Sequence, residues 1–380
     1  MCNETKNSWG SEFIDYISGG NHELFHSNVL AYIAKNYPDF FLAILPDDCK
    51  ETLKNHKNQY EVVREEKHLD VAIKRKEPRE GENEYILVIE NKMKSLPDME
   101  QLDRYSQNIK ADAYILLTLF ETDEDALAEK GWKQISYQQL AERMNNCRAD
   151  KNFNGYFGNF LNDYTGYIQD FAREIEPLKA EIKTNPKVSE FLVALPYHGR
   201  PSWREIFQVK ARYHLLAEEI LKNVDMPVYC RAGIVRGRTP FIDIWPYNNE
   251  QRKTRKKKYW IQIYRDHVEH GVLVYYDEIA GTENKKPEKS RKKDARADFL
   301  GEIWESCKKD KELRFFVNSI SEIEGININD LYGYIYDEYV MVDARTPIPA
   351  DIHINEFVRQ ISHEIKMILA YHANENEKIS

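Results

Sequence analysis

A short apolar run that ends in charged residues is the most informative stretch of this sequence. Residues 85–89 are rich in strand formers and too few for a helix, so they predict a buried strand. Glu90, Asn91 and Lys92 follow directly. Because side chains alternate along a strand, Glu90 and Lys92 point to one side while Asn91 points to the other. A carboxylate and an ammonium at one spot on a core strand indicate a chemical or electrostatic role.

A second carboxylate, Asp70, is expected on the neighbouring strand, before a loop of hairpin-like length. Two carboxylates on adjacent strands can share Mg²⁺, with water and substrate phosphate oxygens as its other ligands. The ion would polarise a phosphodiester and lower the pKa of a bound water. The backbone carbonyl of Asn91 is a candidate further ligand. Lys92 could hold the attacking water or stabilise charge at phosphorus.

The segments around residues 85–89 predict the elements that must position these groups. A helix is expected from an N-cap at Asn21 to about residue 36. Two antiparallel strands, or one long bent strand, are expected over residues 60–73, with Asp70 near the middle. The later segments are predicted as a helix from residue 96, a buried strand at 113–120, an acidic helix or loop at 122–130, an edge strand at 131–135 and a helix at 136–145. A crossover helix between two buried strands indicates an α/β sandwich around a mixed sheet.

The order of these residues resembles the PD-(D/E)XK nuclease superfamily, which has a restriction-endonuclease-like fold. Asp70, a spacer of 19 residues and then Glu90-Asn91-Lys92 match its D…(D/E)-x-K signature. Leu69 replaces the proline that often precedes the first aspartate.

Two further elements resemble one bacterial branch of that superfamily. The helix over residues 21–33 is similar to its opening helix, on which a glutamate approaches the metal, and Glu23 is the matching residue. Gln101-Leu-Asp-Arg-Tyr105 resembles its Q-x-x-x-Y element. The resemblance covers roughly residues 12–145 and does not reach the second half of the chain.

The resemblance implies an α/β fold, with a restriction-endonuclease-like mixed sheet flanked by helices, and a Mg²⁺-dependent endonuclease that hydrolyses phosphodiester bonds. DNA is the expected nucleic-acid partner, hydrolysis leaves a 5′-phosphate, and Mn²⁺ is expected to substitute for Mg²⁺. The catalytic residues that it implies are Asp70, Glu90, Lys92, Glu23 and Gln101. The implied metal ligands are Asp70, Glu90, Asn91 and Glu23, and Tyr105 is placed with the substrate.

Each of these residues also has a structural interpretation. Asp70 could be an ordinary strand carboxylate, and Glu90 with Lys92 a structural ion pair. Glu23 could compensate the helix dipole, while Gln101 could lie on the surface. The alternative function is therefore a catalytically weak module that retains the nuclease fold and binds nucleic acid or protein. His22 and His26 lie one helical turn apart, and we interpret them as packing or substrate-facing residues rather than a metal pair.

The expected organisation is a nuclease-like domain over residues 1–150, a helical linker at 151–190 and an α+β domain at 191–380, with substrate or partner recognition as its candidate role. The elements predicted there are a helix at 203–223, strands at 228–234, 241–245, 259–264 and 271–276, a helix at 295–308, a strand pair or loop at 331–342 and a closing helix at 352–372. Basic loops are expected at 252–258 and 285–296, and the first is followed by Tyr259 and Trp260. Basic residues that adjoin aromatic residues suit phosphates and unstacked bases. The substrate-binding candidates are Arg252, Arg255, Lys256, Lys257 and Lys258, although a solvated hairpin tip explains them equally well.

Composition limits the class of protein. The 380 residues are 42% hydrophobic, which is ample for real cores. With 54 basic and 63 acidic residues the net charge is -9, which argues against a chain that coats nucleic acid non-specifically. The five cysteines contain no C-x-x-C pair, and no window approaches the roughly 18 apolar residues of a membrane span. We expect a cytoplasmic protein without a membrane partner, and the aromatic linker is compatible with a homodimer.

Overall fold

The computed structural model describes residues 22–56, 59–93, 97, 99–120, 124–151, 155–195, 203–224, 228–234, 239–246, 257–275, 293–309, 332–335 and 339–376. The chain divides into two compact units, one up to Pro177 and one from Leu178 onward. The division falls inside a continuous helix, Tyr156–Lys183, which contains Pro177 rather than ending at it. None of the described helices is long and apolar enough to cross a bilayer.

The first unit is built on a five-stranded mixed sheet in the order β1-β2-β3-β4-β5. Its strands are β1 (Tyr60–Val63), β2 (Val71–Arg75), β3 (Tyr85–Lys92), β4 (Ala111–Thr118) and β5 (Trp132–Ser136). Strands β1, β2 and β3 pair antiparallel, whereas β3, β4 and β5 pair parallel. Its helices are α1 (His22–Asn36), α2 (Pro38–Ile44), α3 (Asp47–Lys54), α4 (Met99–Asn108), α5 (Glu124–Glu129), α6 (Tyr137–Lys151) and the first part of α7 (Tyr156–Lys183). The predicted fold class, with α4 as the crossover helix between β3 and β4, is confirmed.

Strand β3 is central because it is apolar on both faces, and each face packs against different helices. On one face Val88 and Leu116 pack with Leu102 and Tyr105 of α4. On the other face Ile89, Ile115, Leu117 and Ile135 line a small apolar void together with Leu30, Phe41, Ile44, Leu45 and Leu140 from α1, α2, the segment after α2, and α6. The sheet is therefore a layer between helices, and Glu90 and Lys92 follow Val88 on the α4 face.

The two antiparallel strands expected here are confirmed as β1 and β2, but Asp70 lies just before β2 rather than near the middle of a strand, so the prediction of its position is wrong. A short 3₁₀ turn, Glu66–His68, separates β1 from β2, and Asp70 directly precedes β2. Glu65, Lys67 and His68 all have positive φ angles, of 57°, 52° and 67°. This left-handed stretch breaks the ladder and places Asp70 at the same end of the sheet as the last residues of β3.

The second unit contains a six-stranded antiparallel sheet in the order β10-β11-β9-β8-β7-β6. Its strands are β6 (Tyr229–Ile234), β7 (Pro240–Trp245), β8 (Lys257–Ile263), β9 (His267–Tyr275), β10 (Tyr332–Ile335) and β11 (Tyr339–Pro347). The helices are α8 (Val188–Phe191), α9 (Trp203–Lys222), α10 (Lys293–Lys309) and α11 (Ile354–Asn376). Helix α9 packs on β6 and β7 and against α11. Glu364 of α11 accepts a hydrogen bond from the Tyr259 hydroxyl at 2.5 Å, which ties α11 to the sheet.

A row of polar side chains crosses this second sheet. The cross-strand partners are Arg231 with Asp243, Asp243 with Gln262, Gln262 with Glu269, and Glu269 with Arg345. Arg231 Nε lies 3.0 Å from Asp243 Oδ2, and Arg345 Nη2 lies 2.8 Å from Glu269 Oε1. Gln262 Nε2 donates to Asp243 Oδ1 at 3.0 Å. We call this row the polar ladder; its two buried carboxylates are each paired with an arginine.

Next to the ladder, Trp260 lies across Gly271, its partner on β9. A Cβ on Gly271 would lie 2.2 Å from Trp260 Cε2 and Cζ2, which no packed structure tolerates. We expect Gly271→Ala to lower the free energy of unfolding by about 1–3 kcal/mol, because the buried indole must move. Denaturant unfolding of the full chain measures this change.

Gly301 of α10 provides the matched control, because nothing lies within 4 Å of its hypothetical Cβ. Gly301→Ala should raise the free energy of unfolding by roughly 0.5–1 kcal/mol, since alanine restricts the unfolded chain. Equal effects of the two substitutions would contradict the close packing of Trp260 on Gly271.

Candidate active site

The candidate residues meet at the carboxyl end of β3. Glu90 and Lys92 are the sixth and eighth residues of that strand and share its α4 face. Val71 pairs with Ile89 in the antiparallel ladder, so Asp70 stands opposite Glu90 one step further along. Residues directly opposite in such a ladder project to the same face. The two strands therefore bring Asp70 and Glu90 together, as the sequence predicts.

Gln101 connects this strand end to α4. Lys92 Nζ lies 2.8 Å from Glu90 Oε1 and donates to Gln101 Oε1 at 3.0 Å. Gln101 Nε2 donates to Glu90 Oε1 at 3.0 Å and to the Tyr105 hydroxyl at 2.8 Å. The Tyr105 hydroxyl in turn donates to the His68 carbonyl at 2.9 Å. The glutamine amide thus fixes both the carboxylate and the ammonium, and the tyrosine fixes the glutamine.

One oxygen of Glu90 is left for another partner. The residue is 2% exposed, and among the described residues its Oε2 atom has no hydrogen-bond donor. Asp70 Oδ2 accepts the backbone N–H of Asn91 at 2.8 Å. A buried carboxylate oxygen without a donor is costly unless a cation or a proton binds it.

Burial perturbs both acids. Desolvation raises the pKa of Glu90 to about 7, the Asp70 charge adds to the rise, and Lys92 offsets part of it. Desolvation likewise raises the pKa of Asp70 to about 6, although the hydrogen bond from the Asn91 N–H and the charge of Lys92 both lower it. For Lys92, burial lowers the pKa, but the adjacent Glu90 outweighs it, so the pKa is raised and the ammonium stays protonated near neutral pH. A divalent cation beside these carboxylates would lower their pKa values.

Glu23 lies in the first turn of α1, near the other acids. It is half-buried, and its charge raises the pKa of both Asp70 and Glu90. Within the described residues, no three His, Cys, Asp or Glu side chains converge into a complete ligand set. Mg²⁺ is commonly held by one or two carboxylates together with waters and substrate oxygens. The donor set of Asp70 and Glu90 fits that ion better than one that demands a full protein cage.

Asn91 projects to the opposite face, towards α1 and α6. Its Nδ2 donates to the Glu23 carbonyl at 2.7 Å and to Ser27 Oγ at 3.1 Å, and Tyr137 OH donates to its Oδ1 at 2.5 Å. Sequence reasoning missed Tyr137, since no motif relates it to Asn91. Ser27 was detectable only as a polar residue one turn after Glu23.

The opening helix contains the two histidines that we interpret as packing or substrate-facing residues. His26 is buried, and its Nδ1 lies 2.8 Å from the Tyr164 hydroxyl. Its ring also packs edge-on against Tyr137. The side chain of His22 lies outside the described residues. The observed contacts of His26 agree with a packing role.

The basic segment of the second unit differs in part from its prediction. Arg252, Arg255 and Lys256 lie outside the described residues. Lys257 and Lys258 belong to β8 rather than to a loop, because the strand begins at Lys257. Lys258 is only 7% exposed, and its Nζ lies 5.9 Å from the centroid of the Tyr275 ring. It is therefore not part of a solvated hairpin tip.

Comparison with known proteins agrees with this architecture. Residues 12–165 match the family model of the PD-(D/E)XK nuclease superfamily. That range contains the entire mixed sheet and every residue of the candidate site in the first unit. No curated protein and no solved structure matches the chain significantly.

The raised pKa of Asp70 predicts a pH-dependent cost in stability. The folded protein binds the proton of the Asp70 carboxyl group more tightly than the unfolded chain does. The contribution of this group to the free energy of unfolding is therefore favourable at low pH and is lost as pH rises through about 6. Asp70→Asn keeps an oxygen for the Asn91 N–H and removes the charge. In the presence of a chelator, we expect Asp70→Asn to raise the free energy of unfolding. The increase should be about 1 kcal/mol larger at pH 8 than at pH 5.

Asp112→Asn is the control, because the Asp112 carboxylate is paired with buried Arg75. Its removal should lower stability at both pH values. A parent and an Asp70→Asn variant with equal stability at the higher pH would contradict the proposed burial cost.

Proposed function

We propose that the first unit is a metal-dependent nuclease that hydrolyses phosphodiester bonds, with DNA as its substrate class. The observation that carries this proposal is the pairing of Asp70 with Glu90, whose buried Oε2 has no donor among the described residues, beside the ammonium of Lys92. The match of residues 12–165 to the family model of a nuclease superfamily supports the same reaction class.

In this proposal Asp70 and Glu90 hold Mg²⁺, with the Asn91 carbonyl and Glu23 as further ligands, directly or through water. The bound ion supplies polarisation of the phosphodiester and a lower pKa for its water. Mn²⁺ would serve in its place.

Lys92 has a separate role. Because Glu90 keeps it protonated, it acts as a hydrogen-bond donor and fixed positive charge, not as a general base. It would orient the attacking water and offset negative charge that develops at phosphorus. Gln101 holds Lys92 and Glu90 in register, and Tyr105 holds Gln101. Tyr105 would thereby act behind the site rather than on the substrate.

The second unit is proposed to recognise the substrate or a partner. The remaining candidates for phosphate contacts are Arg252, Arg255 and Lys256. Lys257 is a weaker candidate, and Lys258 is the weakest candidate because it is buried. Cleavage of both strands of a duplex would favour a homodimer, which light scattering of the full chain tests. The proposed cellular site is the cytoplasm.

The first test replaces the two charged residues of β3. Glu90→Gln and Lys92→Met should each reduce cleavage of plasmid or single-stranded DNA by roughly 100-fold or more, because each removes a group that stabilises charge at the reacting phosphate. The assay uses Mg²⁺ and Mn²⁺ with and without chelator, and RNA is compared in parallel.

Glu142→Gln and Lys130→Met are the matched controls, since both residues are outside the site. They should cleave at the parental rate. If Glu90→Gln and Lys92→Met cleave as well as the parent, the proposed site is wrong. Metal-independent binding of DNA without any cleavage by the parent would instead support the alternative, a catalytically weak binding module.

A second prediction concerns the pH dependence of metal binding. Glu90 and Asp70 must lose their protons, and their pKa values are about 7 and about 6 in the metal-free protein. The Mn²⁺ dissociation constant should therefore fall by about tenfold or more between pH 6 and pH 8, with proton release.

Calorimetry in buffers of different ionisation enthalpy measures both the affinity and the released protons. Asp70→Asn should bind Mn²⁺ more weakly and release fewer protons. An affinity that does not change across this pH range would contradict the assignment of these acids as ligands.

A further inference from the structure

We propose that Asn91 is a positioning residue. Its side chain holds the helical turn that carries Glu23, and its backbone N–H holds Asp70, so that both acids lie near Glu90. The inference rests on the proposed metal-dependent function and extends it to the far face of β3. It assigns a role to the amide side chain, which points away from the site, and is independent of whether the Asn91 carbonyl is a ligand.

The first connection runs from Asn91 to the opening helix. Asn91 Nδ2 donates to the Glu23 carbonyl and to Ser27 Oγ, while Ser27 Oγ itself donates to the Glu23 carbonyl at 2.8 Å. Asn91 is 1% exposed and Ser27 is fully buried. These bonds hold the first turn of α1 against the end of β3. Since Glu23 lies in that turn, they also fix where its carboxylate can reach.

The second connection fixes the orientation of the amide. The Glu23 carbonyl can only accept hydrogen bonds, so the group that faces it must be the NH₂ of Asn91. The amide oxygen then faces Tyr137, whose hydroxyl donates to it at 2.5 Å. Burial raises the pKa of Tyr137 well above its ordinary value, so this donor keeps its proton. A flipped amide would place its oxygen against the Glu23 carbonyl oxygen, which offers no donor.

The third connection is through the backbone. The Asn91 N–H donates to Asp70 Oδ2 at 2.8 Å, so the same residue that anchors Glu23 also orients Asp70. Its chain neighbours are Glu90 and Lys92. One residue therefore links the helix, the strand start and the strand end that carry the candidate site.

The polarity of Asn91 supports positioning over packing. The residues that precede it on this face, Leu87 and Ile89, are apolar and buried. A buried amide is costly unless it is hydrogen-bonded, and an apolar residue of similar size would fill the space without that requirement. The amide recovers the cost through bonds directed at α1 and α6.

The test measures Mn²⁺ affinity in the full chain by calorimetry, without any substrate. Asn91→Leu keeps the size and the backbone bond to Asp70 but removes the contacts to Glu23, Ser27 and Tyr137. We expect its Mn²⁺ dissociation constant to rise by about 10–100-fold, as for other residues that orient metal ligands. Asn108→Leu, an exposed asparagine on α4, is the control for the change in polarity and should bind as the parent does.

A double-mutant cycle separates positioning from general destabilisation. If Asn91 acts through Glu23, Asn91→Leu should weaken Mn²⁺ binding much less in a Glu23→Gln background than in the parent. Fully additive losses would overturn the proposal. Tyr137→Phe and Ser27→Ala, which each remove a single hydroxyl, should shift the affinity in the same direction by smaller factors, and they provide the test if Asn91→Leu does not fold.

The outcomes distinguish this inference from the proposed function. If the parent binds Mn²⁺ and Asn91→Leu binds it equally well, the positioning role is wrong while the nuclease proposal stands. If the parent binds no Mn²⁺ at any pH tested, both the proposed function and this inference are overturned.

Discussion

The burial of the Glu90 carboxylate is the constraint on which the first unit depends. Removing a charge from water costs several kcal/mol unless other charges and donors replace the solvent. Lys92 and Gln101 replace it on one oxygen, at 2.8 Å and 3.0 Å. Helix α4 must therefore present a glutamine at this position. The Tyr105 hydroxyl, one turn later, carries the network back to the His68 carbonyl, so the turn before β2 belongs to the same arrangement.

The burial of these acids lowers the stability of the metal-free fold, but it also places negative charge in the candidate site. The raised pKa values of Glu90 and Asp70 mean that the metal-free fold holds these two acids in their charged forms only at a cost in stability near neutral pH. A protein selected for stability alone would replace them with apolar or amide side chains. Their retention in the core of the sheet therefore agrees with a role that needs negative charge at this point.

The central strand was predictable because it has a strong local pattern. Residues 85–89 are apolar at every position, which fits a strand covered on both faces, and β3 extends to Lys92 as the alternation of its charged end requires. The resemblance to the superfamily added Glu23 and Gln101, which composition and spacing alone do not single out. The roles of these residues stay predictions, since the geometry shows their proximity and not their chemistry.

The misplaced features depend on backbone conformation and on distant contacts. Glu65, Lys67 and His68 adopt positive φ angles without a glycine among them, so the sequence carries no signal for the turn that moves Asp70 to the strand start. Tyr137 reaches Asn91 across 46 positions of the chain, and only the assembled fold pairs them. Lys258 reads as part of a basic run, yet the pairing of β8 with β9 draws it into the sheet.

The polar ladder shows how register constrains interpretation of the second unit. Its side chains come from strands that are otherwise largely apolar, and a shift of one residue would turn every charge to the other face. In the ladder each arginine faces a buried carboxylate, so its positive charges are largely neutralised within the sheet. A surface that attracts phosphates needs an excess of positive charge. Recognition of nucleic acid by this unit would therefore have to come from basic residues outside the ladder.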